Sequence, residues 1–247
     1  MKQNSTLIVI GGSDPSGGAG IQADLFTLSK LGIKAQSVVT ATTAQNEGKF
    51  LSYESVSVQN FEDQLQALKI PQDDVFIKIG MIGDHRFIAP LAAWLEKIEP
   101  AFTILDPVLR SSSGADLIDA KGISLLPKLF PVVDLLTPNI PEAEELTGLK
   151  IQNLKDMQRA GAKFLELGVE QVLMKGGHLK ESPCDVLMDE EMDYFFKGSR
   201  IQSQNTHGTG CTLASAILGY MSAGDDLVAS IHVAREMVRA KLKSSDD

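Results

Sequence analysis

Residues 205–216 read Asn-Thr-His-Gly-Thr-Gly-Cys-Thr-Leu-Ala-Ser-Ala, glycines and hydroxyls set directly ahead of the helix-forming run Thr212-Leu213-Ala214-Ser215-Ala216-Ile217-Leu218. The spacing predicts that Gly208 and Gly210 stand where a helix begins. The first turn of a helix has N–H donors without internal partners, and its aligned peptide dipoles add about half a positive charge. An anion is favoured there. Lacking Cβ atoms, the two glycines let a phosphate approach the main chain around Thr209, and Cys211 projects beside it. A thiol at a helix N-terminus is biased toward thiolate, which suits a base or a nucleophile. The plainer alternative is a Gly-Thr-Gly turn capping a core helix, with Cys211 as a small buried hydrophobe.

Other reactive groups arrive at the ends of apolar runs. Phe102-Thr103-Ile104-Leu105 delivers Asp106 where the chain turns into Pro107-Val108-Leu109 and a serine-glycine loop. In parallel sheets ligands gather at such carboxyl ends of strands. After Val132-Val133-Asp134-Leu135-Leu136 comes Thr137-Pro138-Asn139, with Pro141 suited to the first turn of a helix and Glu142 near the same sheet edge as Asp106. Glu144 and Glu145 read as helix-end electrostatics. Gln171-Val172-Leu173-Met174 ends in Lys175-Gly176-Gly177-His178, where a lysine could contact phosphate or simply face water. Gln45 lies in a polar segment, 42–48, beyond the strand candidate Ser37-Val38-Val39. Its amide could read a heterocycle edge with one donor and one acceptor, or be solvated.

These groups need a scaffold that alternates strand and helix. Leu7-Ile8-Val9-Ile10 runs into the glycine-rich stretch Gly11–Gly20, and Ile21, Leu25, Leu28 and Leu31 then keep helical spacing until Gly32. This loop lacks the Lys-Ser/Thr pair of a Walker motif and the spacing of a dinucleotide fingerprint. Helices follow at 61–68, 91–98, 123–129, 154–167, 208–222 and 227–242, and strands at 75–79 and 102–105. Residues 184–202 read as a hairpin with Asp189-Glu190-Glu191 at its turn. No repeat or linker divides residues 1–247, so one domain is expected, with 242–247 a frayed tail.

The balance of 23 Lys+Arg against 32 Asp+Glu gives a net charge of −9, without a basic stripe, and disfavours nucleic acid or an anionic membrane as partner. The two cysteines have no ligand spacing, which points to a reducing compartment without a zinc site. No apolar run approaches a membrane span or a signal-peptide core, so a cytoplasmic protein is expected.

The motifs 11–24, Thr43-Ala44-Gln45-Asn46, Lys78-Ile79-Gly80-Met81, Asp106-Pro107-Val108, Thr137-Pro138-Asn139, Pro141-Glu142-Ala143, Lys175-Gly176-Gly177-His178 and 205–212 occur in one order. Together they resemble the hydroxymethylpyrimidine/phosphomethylpyrimidine kinases of thiamine biosynthesis, over about residues 7–240. The resemblance implies a three-layer α/β/α ribokinase-like fold with a mostly parallel central sheet, ATP and Mg²⁺ as cofactors, and two successive phosphorylations. By it, Gly12, Ala19, Asp24, Gln45, Met81 and Val108 line a pyrimidine pocket. Asp106 and Glu142 organise Mg²⁺, and Asn139, Lys175, Thr206 and Thr209 hold nucleotide phosphates. Amides of Gly208, Thr209, Gly210 and Cys211 hold the transferring phosphoryl, and Cys211 stands where sugar kinases carry an aspartate base. A homodimer is a further implication. Many relatives continue past the last helix with a glycine- and histidine-containing tail, which this chain lacks.

Three other functions compete. A pyridoxal kinase of the same superfamily shares the Gly-Thr-Gly-Cys logic, although Gln45 and Met81 favour the pyrimidine. A non-catalytic sensor of the pyrimidine phosphate would not need Asp106, Glu142, Lys175 and Cys211 together. A cysteine hydrolase would need His207 or His178 beside Cys211 with a third orienting group, which nothing in the spacing provides.

Overall fold

Along Leu7-Ile8-Val9-Ile10, successive side chains leave for opposite sides of the sheet: Leu7 and Val9 join one apolar cluster, Ile8 and Ile10 another. That division, repeated on each inner strand, makes the molecule three layers deep, as a sheet buried on both faces requires. The computed structural model describes residues 5–46, 49–70, 74–179, 182–203 and 206–244. Residues 47–48 of the polar segment after Val39, Asn205 of the glycine motif, and residues 245–247 of the expected tail lie outside the described residues.

In chain order the elements are β1 (Thr6–Ser13), α1 (Gly20–Lys30), β2 (Ala35–Asn46), β3 (Lys49–Ser55), α2 (Val58–Ala67), β4 (Val75–Ile79), α3 (Ile88–Ile98), β5 (Phe102–Leu105) and α4 (Ala120–Leu125). There follow β6 (Leu135–Leu136), α5 (Ile140–Thr147), α6 (Leu154–Glu166), β7 (Gln171–Met174), β8 (Cys184–Met188), β9 (Asp193–Lys197), α7 (Thr209–Ala223) and α8 (Leu227–Lys243). The strands form one sheet in the order β3-β2-β1-β4-β5-β6-β7-β8-β9. Pairing is parallel from β2 through β7 and antiparallel at both margins, β2 with β3 and β7-β8-β9. The mostly parallel three-layer architecture expected from sequence is therefore what the chain adopts.

Helices α1, α7 and α8 cover one face, with Ile21, Leu28, Leu213, Ile217 and Ile231 packed on Leu7, Val9, Phe76, Ile104 and Leu173. Helices α2, α3, α5 and α6 cover the other through Phe61, Leu91, Ala143 and Phe164. Lys78 breaks the apolar pattern of β4. It shares with Phe76 the side facing α1 and α7, is 1% exposed, and lies at the carboxyl end of its strand.

Four expectations need correction. The strand anticipated at 37–39 runs on to Asn46, so Gln45 sits in a strand rather than a loop, next to a bulge between Ala44 and Gln45. Its partner β3, Lys-Phe-Leu-Ser-Tyr-Glu-Ser, was not anticipated, because Phe50, Leu51 and Tyr53 do not alternate strictly with polar residues and none of its side chains is buried. The helix expected at 123–129 is α4 followed by a 3₁₀ stretch, Leu126–Val132, since Pro127 and Pro131 cannot donate the bonds of a regular helix; the strand after it shrinks to Leu135–Leu136. Finally, α8 is helical to Lys243, so Leu242 and Lys243 are not frayed.

Candidate active site

The helix that begins at Thr209 has Gly208 as its N-cap, in the left-handed region at φ 69°, with no side-chain cap. Glycine is required twice over. A Cβ here would be strained, and it would lie 1.8 Å from the carbonyl oxygen of Gly18. The Thr209 amide and hydroxyl both donate to the Thr206 carbonyl, at 3.4 and 3.0 Å. The amides of Gly208, Gly210 and Cys211 have no acceptor among the described residues. Of the four amides expected to face a phosphoryl group, that of Thr209 is thus engaged within the chain, and the other three stand at a helix start, where an anion is favoured. A Cβ added at Gly210 would stand 3.3 Å from Asp106 Oδ2 and 3.4 Å from Lys175 Nζ, so the helix start abuts this acid and base directly.

Asp106 follows β5 and is 2% exposed. Its Oδ1 accepts from Lys175 Nζ at 2.7 Å and Thr137 Oγ1 at 3.0 Å, while Oδ2 has no hydrogen bond among the described residues. Burial opposes its charge, but Lys175 and then Lys78 outweigh that and hold the carboxyl below the usual range. Lys175 is driven the other way: burial opposes its charge, and Asp106 and Glu142 overcome it.

Glu142 is fixed by a capping box at the start of α5. Asn139 Oδ1 accepts from the Glu142 amide at 2.9 Å, and Glu142 Oε2 accepts from the Asn139 amide at 2.8 Å. Among the described residues this leaves the Asn139 NH₂ and Glu142 Oε1 without a hydrogen-bond partner. Glu142 Oε2 lies 4.0 Å from Lys175 Nζ. Burial first, and Asp106 after Lys175's opposing pull, push its carboxyl up to about 7. Two carboxylates, each with one oxygen free of hydrogen-bond partners among the described residues, fit a hard divalent cation that keeps water and borrows phosphate oxygens. Among the described residues no cluster of three or more potential ligands exists to hold a metal by protein alone.

The expectation of a lowered thiol pKa at Cys211 is not met. The side chain is buried, and burial pushes it up to about 11 against the pull of Lys78. Losing water, with Asp24 and Asp106 nearby, costs this thiolate more than Lys78 and the Gly20 amide return. Beneath it, Asp24 is fully buried and its carboxylate accepts from Lys78 Nζ at 2.8 and 3.0 Å and from Ser215 Oγ at 2.8 Å. Ser215 lies one turn after Cys211 on the same face of α7. Asp24 is therefore held in an ion pair rather than presented freely to a ligand. Burial would lower the Lys78 pKa, but Asp24 reverses the shift and keeps the ammonium charged.

All the residues singled out from sequence, Gly12, Ala19, Asp24, Gln45, Met81, Asp106, Val108, Asn139, Glu142, Lys175, Thr206, Gly208, Thr209, Gly210 and Cys211, line one cavity of about 770 Å³. Met81 and Gly12 touch, since a Cβ on Gly12 would meet the Met81 sulfur at 2.6 Å. Gln45, Met81, Gly12 and Val108 form the end nearer β1 and β2, and Asn139 and Lys175 the end nearer β6 and β7. Sequence reasoning missed the wall from Gly198 to Ile201 with Arg235, Val238 and Arg239 of α8. It also gave no role to Asp14, Lys78 or Ser112. Only the lysine carried a signal, a charge within an otherwise apolar strand.

A family model described as phosphomethylpyrimidine kinase matches residues 14–247. The chain is 42% identical over 242 residues to the thiamine biosynthesis bifunctional protein ThiED of Geobacter sulfurreducens; this covers 96% of the chain and 49% of that protein, so the chain spans about half the length of that relative. A crystal structure of phosphomethylpyrimidine kinase from Clostridium difficile superposes with a TM-score of 0.84 at 38% identity, covering 98% of this chain and 100% of that one. The pyridoxal kinase of Staphylococcus aureus, solved with AMP-PCP, gives 0.87 at 28% identity, covering 98% and 90%.

Proposed function

Because the chain belongs to the phosphomethylpyrimidine kinase family, we propose that its cavity carries ATP-dependent phosphorylation of a hydroxymethylpyrimidine to the monophosphate and then to the diphosphate. The enzyme is a phosphotransferase of thiamine biosynthesis with a ribokinase-like fold. The observation that carries the residue assignment is the opening of α7: amides without acceptors among the described residues, set against Lys175 and Asp106. Phosphoryl transfer asks chiefly for in-line positioning and neutralised charge. In this reading the amides of Gly208, Gly210 and Cys211 receive the phosphoryl oxygens as charge redistributes. Lys175 holds the nucleotide phosphates together with the Asn139 amide group and the Thr206–Thr209 turn. Asp106 and Glu142 would hold Mg²⁺ through its water shell, and the ion would supply neutralising charge for the phosphates. Gly12, Ala19, Gln45, Met81 and Val108 hold the pyrimidine, with Gln45 on its polar edge and the Asp24–Lys78 pair as floor.

Cys211 takes the alcohol proton in the first step. Burial pushes the thiol up to about 11, so it is protonated at neutral pH; it first gives its own proton to solvent, and the thiolate then takes the alcohol proton late in the transfer, as the oxygen–phosphorus bond forms. In the second step the acceptor is already an anion, and the cysteine matters less. The deciding experiment supplies Mg-ATP and hydroxymethylpyrimidine and follows products in time. Monophosphate followed by diphosphate is expected; absence of both would remove this reading. Structural likeness to a pyridoxal kinase keeps one rival in view. ADP release from pyridoxal faster than from the pyrimidine, both saturating, would reverse the order. We also propose a homodimer in a cytoplasmic setting, which sedimentation and localisation check. Among the described residues no helix is long and apolar enough to cross a membrane.

A further inference from the structure

The glycine-rich loop after β1 is organised by one carboxylate. Asp14 is 1% exposed. Its Oδ1 accepts from the amide and hydroxyl of Ser16 at 2.9 and 2.8 Å, and Oδ2 from the Ala19 amide at 2.8 Å. The remaining contact to Oδ2 comes from a residue 193 positions away, His207 Nε2, at 2.8 Å. A carboxylate can only accept, so Nε2 carries a proton. The other ring nitrogen, Nδ1, lies 3.0 Å from Ser112 Oγ in the loop that follows β5. A serine hydroxyl can donate to it or accept from it, so the bridge survives in either charge state of the ring. The ring is packed as well as bonded: a Cβ on Gly18 would stand 2.4 Å from His207 Cδ2. Asp14, Ser112 and His207 all line the reaction cavity.

One imidazole thus joins three segments that have no common element. Through Asp14 it holds Ala19, which opens α1 and borders the acceptor end. Through Ser112 it holds the 111–114 loop. Through the chain itself it adjoins Gly208, the start of the phosphoryl seat. We propose that His207 is a positioning residue for phosphoryl transfer, setting the separation between the acceptor alcohol and the amides of α7 by tying the Asp14 loop and the Ser112 loop to the first turn of that helix. This inference rests on the kinase reading, though not on which alcohol is accepted. A ring that served only the fold would alter stability. A ring that sets the alignment also alters how faithfully ATP cleavage is coupled to product.

The test measures ADP formed against phosphorylated product formed, with hydroxymethylpyrimidine and with pyridoxal, in the full-length protein. Misplacement of reacting groups by about 1 Å costs on the order of 100-fold in rate. His207→Ala is expected to lower kcat by about that factor, with KM for ATP little changed and the ADP-to-product ratio above one as water replaces the alcohol. His207→Gln can keep the bond to Asp14 and is expected to recover most of the loss. Ser112→Ala, a change on an exposed loop, should raise KM for the alcohol and the ratio, and combined with His207→Gln should add nothing further, because both lose the same bond. A ratio that stays at one in Ser112→Ala and His207→Gln, or effects of the two that simply add, would overturn the proposal even if His207→Ala fails to fold. A wild type that turns over neither alcohol would overturn the kinase reading and this inference with it. A working wild type with coupled variants would overturn this inference alone.

Discussion

Single side chains in this cavity are governed by the contest between burial and neighbouring charge, and the outcomes differ. Lys175 and Asp106 sustain each other's charge at 2.7 Å. Glu142, farther from the lysine and close to Asp106, is pushed up to about 7. Folding raises its pKa from 4.5, so the folded chain holds more protons than the unfolded one across that window. Its contribution to stability is therefore full below about 4.5 and lost as pH rises through about 7. The same proton competes with Mg²⁺, so kcat/KM is expected to rise across about pH 7. Glu142→Gln should lower activity and flatten that limb; an unchanged pH profile would remove Glu142 from the metal site. For Cys211, replacement by alanine is expected to slow phosphorylation of the alcohol by about 100-fold, the range of general base catalysis, and that of the monophosphate by much less. Equal losses in the two steady-state rates would exclude the thiol as base. The Asp24–Lys78 pair offers a third case. Lys78→Met leaves a buried carboxylate without its partner and should cost about 3–5 kcal/mol in urea unfolding.

Secondary elements act here by where they end. Strands β5, β6 and β7 release Asp106, Asn139 and Lys175 along one edge of the sheet, and α7 starts opposite them. That much was legible, because a short apolar run followed by Gly, Pro or a charge marks both the strand and its exit, as at Leu105-Asp106 and Met174-Lys175. The β2–β3 hairpin was not, since its outer half faces solvent on an edge where packing demands little of residue type. Gly208 shows how tightly two ends are fitted. Gly208→Ala places a methyl against the Gly18 carbonyl and a left-handed conformation on alanine, a strain of roughly 1–2 kcal/mol before the clash is counted. The expected result is a lower melting temperature and a loss of about 100-fold in kcat as the acceptor loop and α7 part; a variant of normal activity would mean that the seat does not depend on this contact.

Across the whole molecule, packing and chemistry are separable. Phe164 is fully buried on the far side of the sheet from α7, with its ring edge-on to Phe130 at 5.8 Å. Phe164→Ala should cost about 3–5 kcal/mol of stability while the kcat of the folded fraction stays near that of the wild type, as denaturation and single-turnover measurements can establish. The sequence revealed the layered core through its alternation of short apolar runs and helical faces, and it revealed the motif residues that meet in the cavity. It could not reveal the pairings Asp14 with His207 or Asp24 with Ser215, which join residues 193 and 191 positions apart without any local pattern. Those distant pairings also govern how the protein comes into being at the ribosome. Strand β1 is made first and lies inside the sheet, yet α7 and α8, which roof it, emerge last. Until they do, Leu7, Val9 and Phe76 have only α1 to shield them on that face. Closing so long a span is slow, and a nascent chain halted before residue 206 is a ready client for chaperones.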